Sequence, residues 1–217
     1  MQRIVLSRRN VSVQRVAAVF ALFLSAAAAV WAEEPKLLFE DTFDAAPDAG
    51  WHWLRENPQR WRVVDKALEI RAEPGVADTV KNAILRKAPD RAKGTYAIEV
   101  TVTHTTPPTQ QFEQLGITWY VAKKPIFKLV HERIDGATYI IPGKKPTHAK
   151  TVQLRLIVSK DRFTAQYRAD GKGEFQTAAT GPLPPPGNDE VSIQCYHGPA
   201  DVDHWMRFDD FRILALP

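Results

Sequence analysis

From residue 35 onward the chain sorts its side chains by odd and even position, in short segments divided by Pro, Gly, Asp and Asn. TYAIEVTVT sets Tyr96, Ile98, Val100 and Val102 on one side and Glu99, Thr101 and Thr103 on the other. QLGITWYV sets Leu115, Ile117 and Trp119 against Gly116, Thr118 and Tyr120, and IFKLVHER sets Phe127 and Leu129 against Lys128, Val130 and Glu132. TVQLRLIV repeats the pattern with Val152, Leu154, Leu156 and Val158. Successive side chains of a strand point to opposite faces, so a period of two predicts strands with one buried face and one open face. RFTAQYRADGKGEFQTA reads as a hairpin turning at Asp170-Gly171. Two further strands, Val191 to Tyr196 and Trp205 to Leu214, follow the turn-rich GPLPPPGND. No segment sustains a helical period. About ten short strands in one chain predict an all-β fold, two antiparallel sheets packed face to face as a sandwich.

The first 32 residues stand outside this pattern. MQRIVLSRRNVSVQR is basic, the apolar run Val16 to Val30 follows, and small residues frame a cleavage point after Ala32. This is the layout of a signal peptide over residues 1–32, which predicts a secreted or periplasmic domain over 33–217. The run is short for a bilayer-spanning helix and no second one follows, so no membrane span is expected after cleavage; an uncleaved N-terminal anchor is the alternative reading.

The leader changes the charge balance. It holds Arg3, Arg8, Arg9 and Arg15 and no acid, so the 29 Lys plus Arg of the whole chain fall to 25 beyond it, against 25 Asp plus Glu. A formally neutral domain lacks the basic surplus of nucleic-acid binders, and no nucleic-acid partner is expected. Cys195 is the only cysteine, which excludes an intrachain disulfide. Its alternation with Val191 and Ile193 points it into the core as a small hydrophobe. No feature of the pattern fixes an oligomeric state.

GWHWLRENPQRWRVVDKALEIRAEPG, NAILR, YAIEVTV, FEQLGITWY, FKLVHERIDG, VQLRLIVSKDRFTAQYRADG and MRFDDFRI, in this order, resemble the concanavalin A-like domains of unknown function found in regulation-of-enolase-type proteins. They also resemble the C-terminal domain of certain β-xylosidases. The resemblance covers nearly all of residues 33–217 and implies a jelly roll. It implies little about chemistry, because such sandwiches host lectins, lyases, hydrolases and inert modules alike.

The outer face of one jelly-roll sheet is often concave, and polar residues on its central strands then meet in one groove. The off-core positions supply Gln114, Thr118, Tyr120, Lys128, Glu132, Gln194 and Tyr196. A pyranose needs such a mixture, with a ring for its C–H face and paired donors and acceptors for its hydroxyl rim. A merely solvated sheet face would look the same in sequence. Three of six tryptophans lie in the loop after the first strand, beside charged residues. Trp61 is expected as a core plug, with Trp51 or Trp53, Arg55 and Glu56 nearer a pocket edge. Trp119 reads as core, and Trp205 is undecided.

Catalysis finds less support. A glycosidase needs two carboxylates across the scissile bond. FEQLG offers Glu113 alone, and Glu132 lies on another segment. A lyase would draw its base from Tyr196-His197 or His131-Glu132. The six histidines are scattered, so no zinc site is expected. Asp41 and Asp44 in FEDTFD would approach Asp209 and Asp210 in FDDF if the first and last strands pair, and these four are the candidate ligands of a structural calcium ion. Edge-protecting and turn-forming acids are the plainer account of them. The adopted expectation is a secreted, lectin-like carbohydrate-binding module without catalysis of its own. Its candidate ligand contacts are Trp51, Trp53, Arg55, Glu113, Gln114, Tyr120, Lys128, Glu132, Gln194 and Tyr196. A glycan lyase or glycoside hydrolase working on the concave face, and a structural or assembly module of the cell envelope, are the alternatives.

Overall fold

The computed structural model describes residues 33–217, and the expected signal peptide lies outside the described residues. In chain order the strands are β1 (Lys36–Asp41), β2 (His52–Leu54), β3 (Trp61–Val64), β4 (Ala67–Arg71), β5 (Ala83–Lys87), β6 (Thr95–His104), β7 (Gln114–Val121) and β8 (Lys124–Ile134). There follow β9 (Ala137–Ile141), β10 (Lys145–Pro146), β11 (Thr151–Val158), β12 (Arg162–Ala169), β13 (Gln176–Pro182), β14 (Asp189–Tyr196) and β15 (Trp205–Leu216). One sheet runs β13-β12-β11-β6-β15-β4-β3, with β1 added beside β15; the other runs β10-β9-β8-β7-β14-β5-β2. Every pairing is antiparallel, and the molecule is an all-β, two-sheet jelly-roll sandwich.

The odd-even pattern decides what fills the space between the sheets. Leu115, Ile117 and Trp119 of β7 and Val191, Ile193 and Cys195 of β14 face Val100 and Val102 of β6, Leu154 and Leu156 of β11 and Phe208 of β15, all buried in one cluster. Each fully buried side chain of this kind contributes about 1.5–3 kcal/mol relative to exposure. Cys195 sits among them with its thiol 3.6 Å from the Ile70 carbonyl, and burial pushes its ionisation well above the ordinary thiol range. It is a core residue, as its alternation predicts.

Two-residue hairpins fix the register. Asp135-Gly136 turns β8 directly into β9 with both residues at positive φ; Asp170-Gly171 has the same backbone geometry just after β12, but β13 begins only at Gln176. Asp65-Lys66 and Ala122-Lys123 adopt this geometry without a glycine, joining β3 to β4 and β7 to β8. Their backbone twist matches that of the flanking strands, which outweighs the steric cost at two non-glycine residues. Gly116 in β7 has φ +153°, and a Cβ there would lie 2.3 Å from the Leu129 carbonyl oxygen, so only glycine lets β7 and β8 approach at this point.

Among the described residues no helix is long and apolar enough to cross a membrane.

Candidate functional site

The outer face of the second sheet collects the polar side chains of its central strands. Gln114, Thr118 and Tyr120 of β7 stand beside Glu132, Lys128 and Pro125 of β8 on one side and Tyr196, Ser192 and Glu190 of β14 on the other. The register therefore places Gln114, Tyr120, Lys128, Glu132, Gln194 and Tyr196 on a single face. They do not share a single environment, because the connection from β4 to β5, residues 72–82, folds back as a strap over part of it.

Under the strap the face is closed. Val80 packs against Ala83, Leu85, Tyr120 and Tyr196, with Leu54 and Ala77 at the margin. Arg55 holds the strap by donating from Nε to the Val80 carbonyl at 2.6 Å, and the Asn57 main-chain N–H donates to Asn82 Oδ1 at 2.6 Å. Beneath lies a polar row in which the Tyr120 and Ser192 hydroxyls both donate to Gln194 Oε1, at 2.9 and 2.8 Å. Gln194 Nε2 and the Thr118 hydroxyl are buried with no partner. Burial pushes the Tyr120 phenol up to about 12, and it stays the neutral donor to Gln194. Tyr120 and Gln194 are thus floor residues of a covered half-groove.

The other half is open. Lys128 Nζ donates to Gln114 Oε1 at 2.7 Å and to Glu132 Oε2 at 3.0 Å, while Gln114 Nε2 donates to Glu132 Oε1 at 3.3 Å and to the Phe112 carbonyl at 2.7 Å. The Glu132 side chain is 5% exposed and that of Lys128 33%, so the carboxylate is fixed from below and the ammonium reaches the surface. Phe112 and His197 flank the triad at the rim, with ring centroids 6.1 Å apart and both residues at positive φ. Phe112 is 43% exposed. Burial lowers the His197 imidazole below its usual range and the nearby Glu132 carboxylate partly restores it. Tyr196 is pushed up, first by burial and then by Glu132, Tyr120 and Asp78, and so remains a neutral phenol. Phe112 is absent from the sequence-derived set because it precedes the strand, where alternation assigns no face.

Glu113 does not join this face. It precedes β7 with the parity of the core residues, is fully buried, and its Oε1 meets His204 Nδ1 at 2.6 Å while Oε2 accepts from the main-chain N–H groups of Thr109 and Gln110. It clasps the loop before β7 to the segment before β15. Trp51 also lies elsewhere: it is buried in the core, edge-on to Phe211 at 4.8 Å, with its indole N–H donating to Asp41 Oδ2 at 2.9 Å. Trp53 and Trp61 stack at 4.7 Å against the margin of the core, and Trp61 Nε1 donates to Glu56. The tryptophan-rich loop plugs the end of the sandwich, with Asp41 and Glu56 accepting from the Trp51 and Trp61 indoles, and it meets the candidate face through Arg55, which holds the strap, and Leu54, at its margin.

The four aspartates sit where β1 meets β15, which pair as expected. Asp41 is engaged by the Phe43 and Asp48 N–H groups as well as by Trp51, and Asp209 accepts from the Asp210 N–H. Among the described residues no three His, Cys, Asp or Glu side chains gather in a way that could hold a metal ion.

A cavity of about 850 Å³ lies at the other end of β7 and β14, between the loops around Pro89, Lys123 and Gly187. Its buried cation, Arg91, spends four of its five N–H groups on Asp189 and three main-chain carbonyls, so it acts as a brace within the protein. A smaller cavity of about 210 Å³ opens on the candidate face beside Lys128.

No protein-family model matches the chain, and no curated protein matches it in sequence. Solved structures share its fold. The xylan β-1,4-xylosidase of Bacillus halodurans C-125 matches with 15% identity and a TM-score of 0.60 over 83% of this chain and 39% of its own, so the chain spans about two fifths of that protein. A structure of the endo-acting O-glycanases that prominent members of the human gut microbiota express to initiate mucin breakdown matches with 16% identity and a TM-score of 0.58, over 84% of this chain and all of its own. The CBM2 module of the evolved Dit of Lactobacillus casei BL23 phage J-1 matches with 10% identity and a TM-score of 0.56, over 84% of this chain and 96% of its own. At these identities the likeness is one of fold: the chain shares its β-sandwich with these proteins.

Proposed function

We propose that the domain is an exported carbohydrate-binding module that holds a glycan on the open half of the outer sheet face and does no chemistry on it. The observation that carries this is the meeting of the Gln114-Lys128-Glu132 triad with the Phe112-His197 rim. The triad offers sugar hydroxyls a donor and acceptors already locked in place, and Phe112 offers a ring to a C–H face. Three of the exposed large apolar side chains, Val76, Phe112 and Ile126, belong to the strap or the borders of this face. The fold neighbours named for xylosidase, O-glycanase and CBM2 support a glycan-associated role, and the order of motifs supports the regulation-of-enolase and β-xylosidase C-terminal type of domain.

The spacing of acids on the sheet supports binding without catalysis. Glu132 lies beside Gln114 and Glu190 beside Tyr120, six residues along β7. That is roughly 20 Å at the rise of a strand, beyond the 5–9.5 Å that glycosidase carboxylates require. A hydrolase would have to recruit Asp78 from the strap, whose charge with that of Glu132 raises the Tyr196 phenol.

A glycan array followed by titration calorimetry tests the reading. At least one plant, microbial or mucin-type glycan should bind, and Lys128→Ala should weaken it at least tenfold while the melting temperature moves by only a few degrees, the order expected for losing one charge-assisted contact. Absence of any glycan ligand, or binding indifferent to Lys128→Ala, would overturn it. Release of shorter sugars by the wild type but not by Asp78→Asn would replace the binding module with an enzyme.

A further inference from the structure

The 210 Å³ cavity beside Lys128 has a composition that the triad does not explain. It exists because β8 bulges. Trp119 pairs with Phe127 but Tyr120 pairs with Pro125, so Ile126 has no partner across the ladder and is pushed outward. The displaced strand and the strap then form two walls, Pro125 and Ile126 on one side and Ala77 on the other. The floor is made by Thr118 and Tyr196, and Lys128 stands at the edge towards the triad.

The Thr118 hydroxyl is the informative group. Thr118 is 1% exposed, lines the cavity and makes no hydrogen bond. A buried hydroxyl without a partner costs roughly 1–3 kcal/mol by mutational measures, and a ligand acceptor reaching it would recover that. The walls are apolar, so a bare sugar hydroxyl would satisfy Thr118 only by placing its other polar valences against Ala77, Pro125 and Ile126. A group with an oxygen acceptor at one side and a methyl at the other satisfies floor and walls together. The volume suits such a substituent and part of its ring, but no second ring.

Resting on the carbohydrate-binding reading above, we propose that this cavity is the specificity pocket of the face and takes the acetyl substituent of a sugar. The acetyl carbonyl accepts from the Thr118 hydroxyl, the methyl lies against Ala77, Pro125 and Ile126, and the ring continues over Lys128 towards Phe112. An acetyl on nitrogen and one on oxygen present the same carbonyl and methyl, and the pocket accepts either.

Matched pairs of glycans separate these sources and test the pocket. N,N′-diacetylchitobiose against cellobiose isolates the N-acetyl group, and O-acetylated xylo-oligosaccharides against the same material after alkaline deacetylation isolate the O-acetyl group. Within a broader array of such pairs, the acetylated member of at least one pair should bind about tenfold more tightly, the order of one hydrogen bond with methyl burial. Thr118→Val keeps the shape and removes the donor, and Ile126→Ser removes the apolar wall; each should bring that ratio close to one. The melting temperature of Thr118→Val should hold or rise, because the lost hydroxyl has no partner to leave behind. Glycan binding with no acetyl preference, or a preference that survives both substitutions, would overturn the pocket and leave the wider reading intact. Absence of glycan binding by the wild type would remove both.

Discussion

Arg91→Ala should lower the melting temperature by roughly 10 °C, the consequence of removing one partner of a buried ion pair in a domain of this size. The Arg91 side chain is fully buried, and that of Asp189 is 5% exposed. The guanidinium donates from Nε to Asp189 Oδ2 at 2.7 Å, from Nη2 to the Pro184 carbonyl at 2.6 Å, and from Nη1 to the carbonyls of Ser159 and Lys160. It thereby ties the turn after β11 and the segment after β13 to the first residue of β14. Alanine would leave a buried carboxylate without its cation and several carbonyls without donors, a loss of about 3–5 kcal/mol. Lysine keeps the charge but not the planar fork, so Arg91→Lys should recover only part of the loss. Pairing Arg91→Ala with Asp189→Ala should cost less than the sum of the two single changes, because the second removes the charge that the first strands. Thermal or urea unfolding of the four proteins measures this directly. A shift of less than about 2 °C for Arg91→Ala would mean that water reaches Asp189 and that the brace carries little of the fold.

The sandwich was legible because each strand has one dry and one less dry face, and a period of two records that difference residue by residue. The hairpin at Asp170-Gly171 was legible for a separate reason, since positive φ at both turn residues favours that pair. The turns at Asp65-Lys66 and Ala122-Lys123 were not, because tertiary pairing holds ordinary residues there in a conformation their side chains disfavour. At the candidate face, alternation placed Gln114, Tyr120, Lys128, Glu132, Gln194 and Tyr196 together, but it says nothing of what lies above them. The strap comes from residues 72–82, whose polar and turn-forming composition is that of any surface loop; only Val80 and Ala77, apolar and spaced to reach the Tyr120–Tyr196 cluster, hint that it folds inward. Glu113 was open to correction from the pattern itself, for it is adjacent to Gln114 and so cannot share its face without a bulge. Trp51 was not. Its burial depends on Asp41, ten residues away, accepting the indole N–H, and no local rule reveals that pairing.

The second large effect concerns acid. His104 of β6 and His131 of β8 meet across the sandwich interior with ring centroids 4.7 Å apart, and no nitrogen of either ring has a hydrogen-bond partner. Burial lowers the His131 imidazole to about 4; burial first, then the charge of His131 and of His204, lowers that of His104 in the same direction, against a smaller upward pull from the His131 main chain. The other titratable neighbours at this end are His204 and Glu113, bound to each other, and the buried Cys195. In the unfolded chain a histidine takes its proton near 6.5. Above that value both states are neutral at His131, and the depressed value has no effect on stability. As the pH falls from 6.5 towards 4 the unfolded chain binds a proton that the folded chain refuses, so stability declines through this window, by about 3 kcal/mol for His131 alone. His104 adds to the decline, though less than independently, because one charged ring opposes a second at this separation. Urea unfolding at pH 7 and pH 5 should show the fall in midpoint. His131→Met, which keeps an apolar filling for the site and removes the proton acceptor, should flatten that dependence and raise the midpoint at pH 5 above the wild type. A wild-type midpoint that stays constant from pH 7 to pH 5 would place a polar partner or water against the ring nitrogens, and the paired histidines would then be an ordinary solvated contact inside the core.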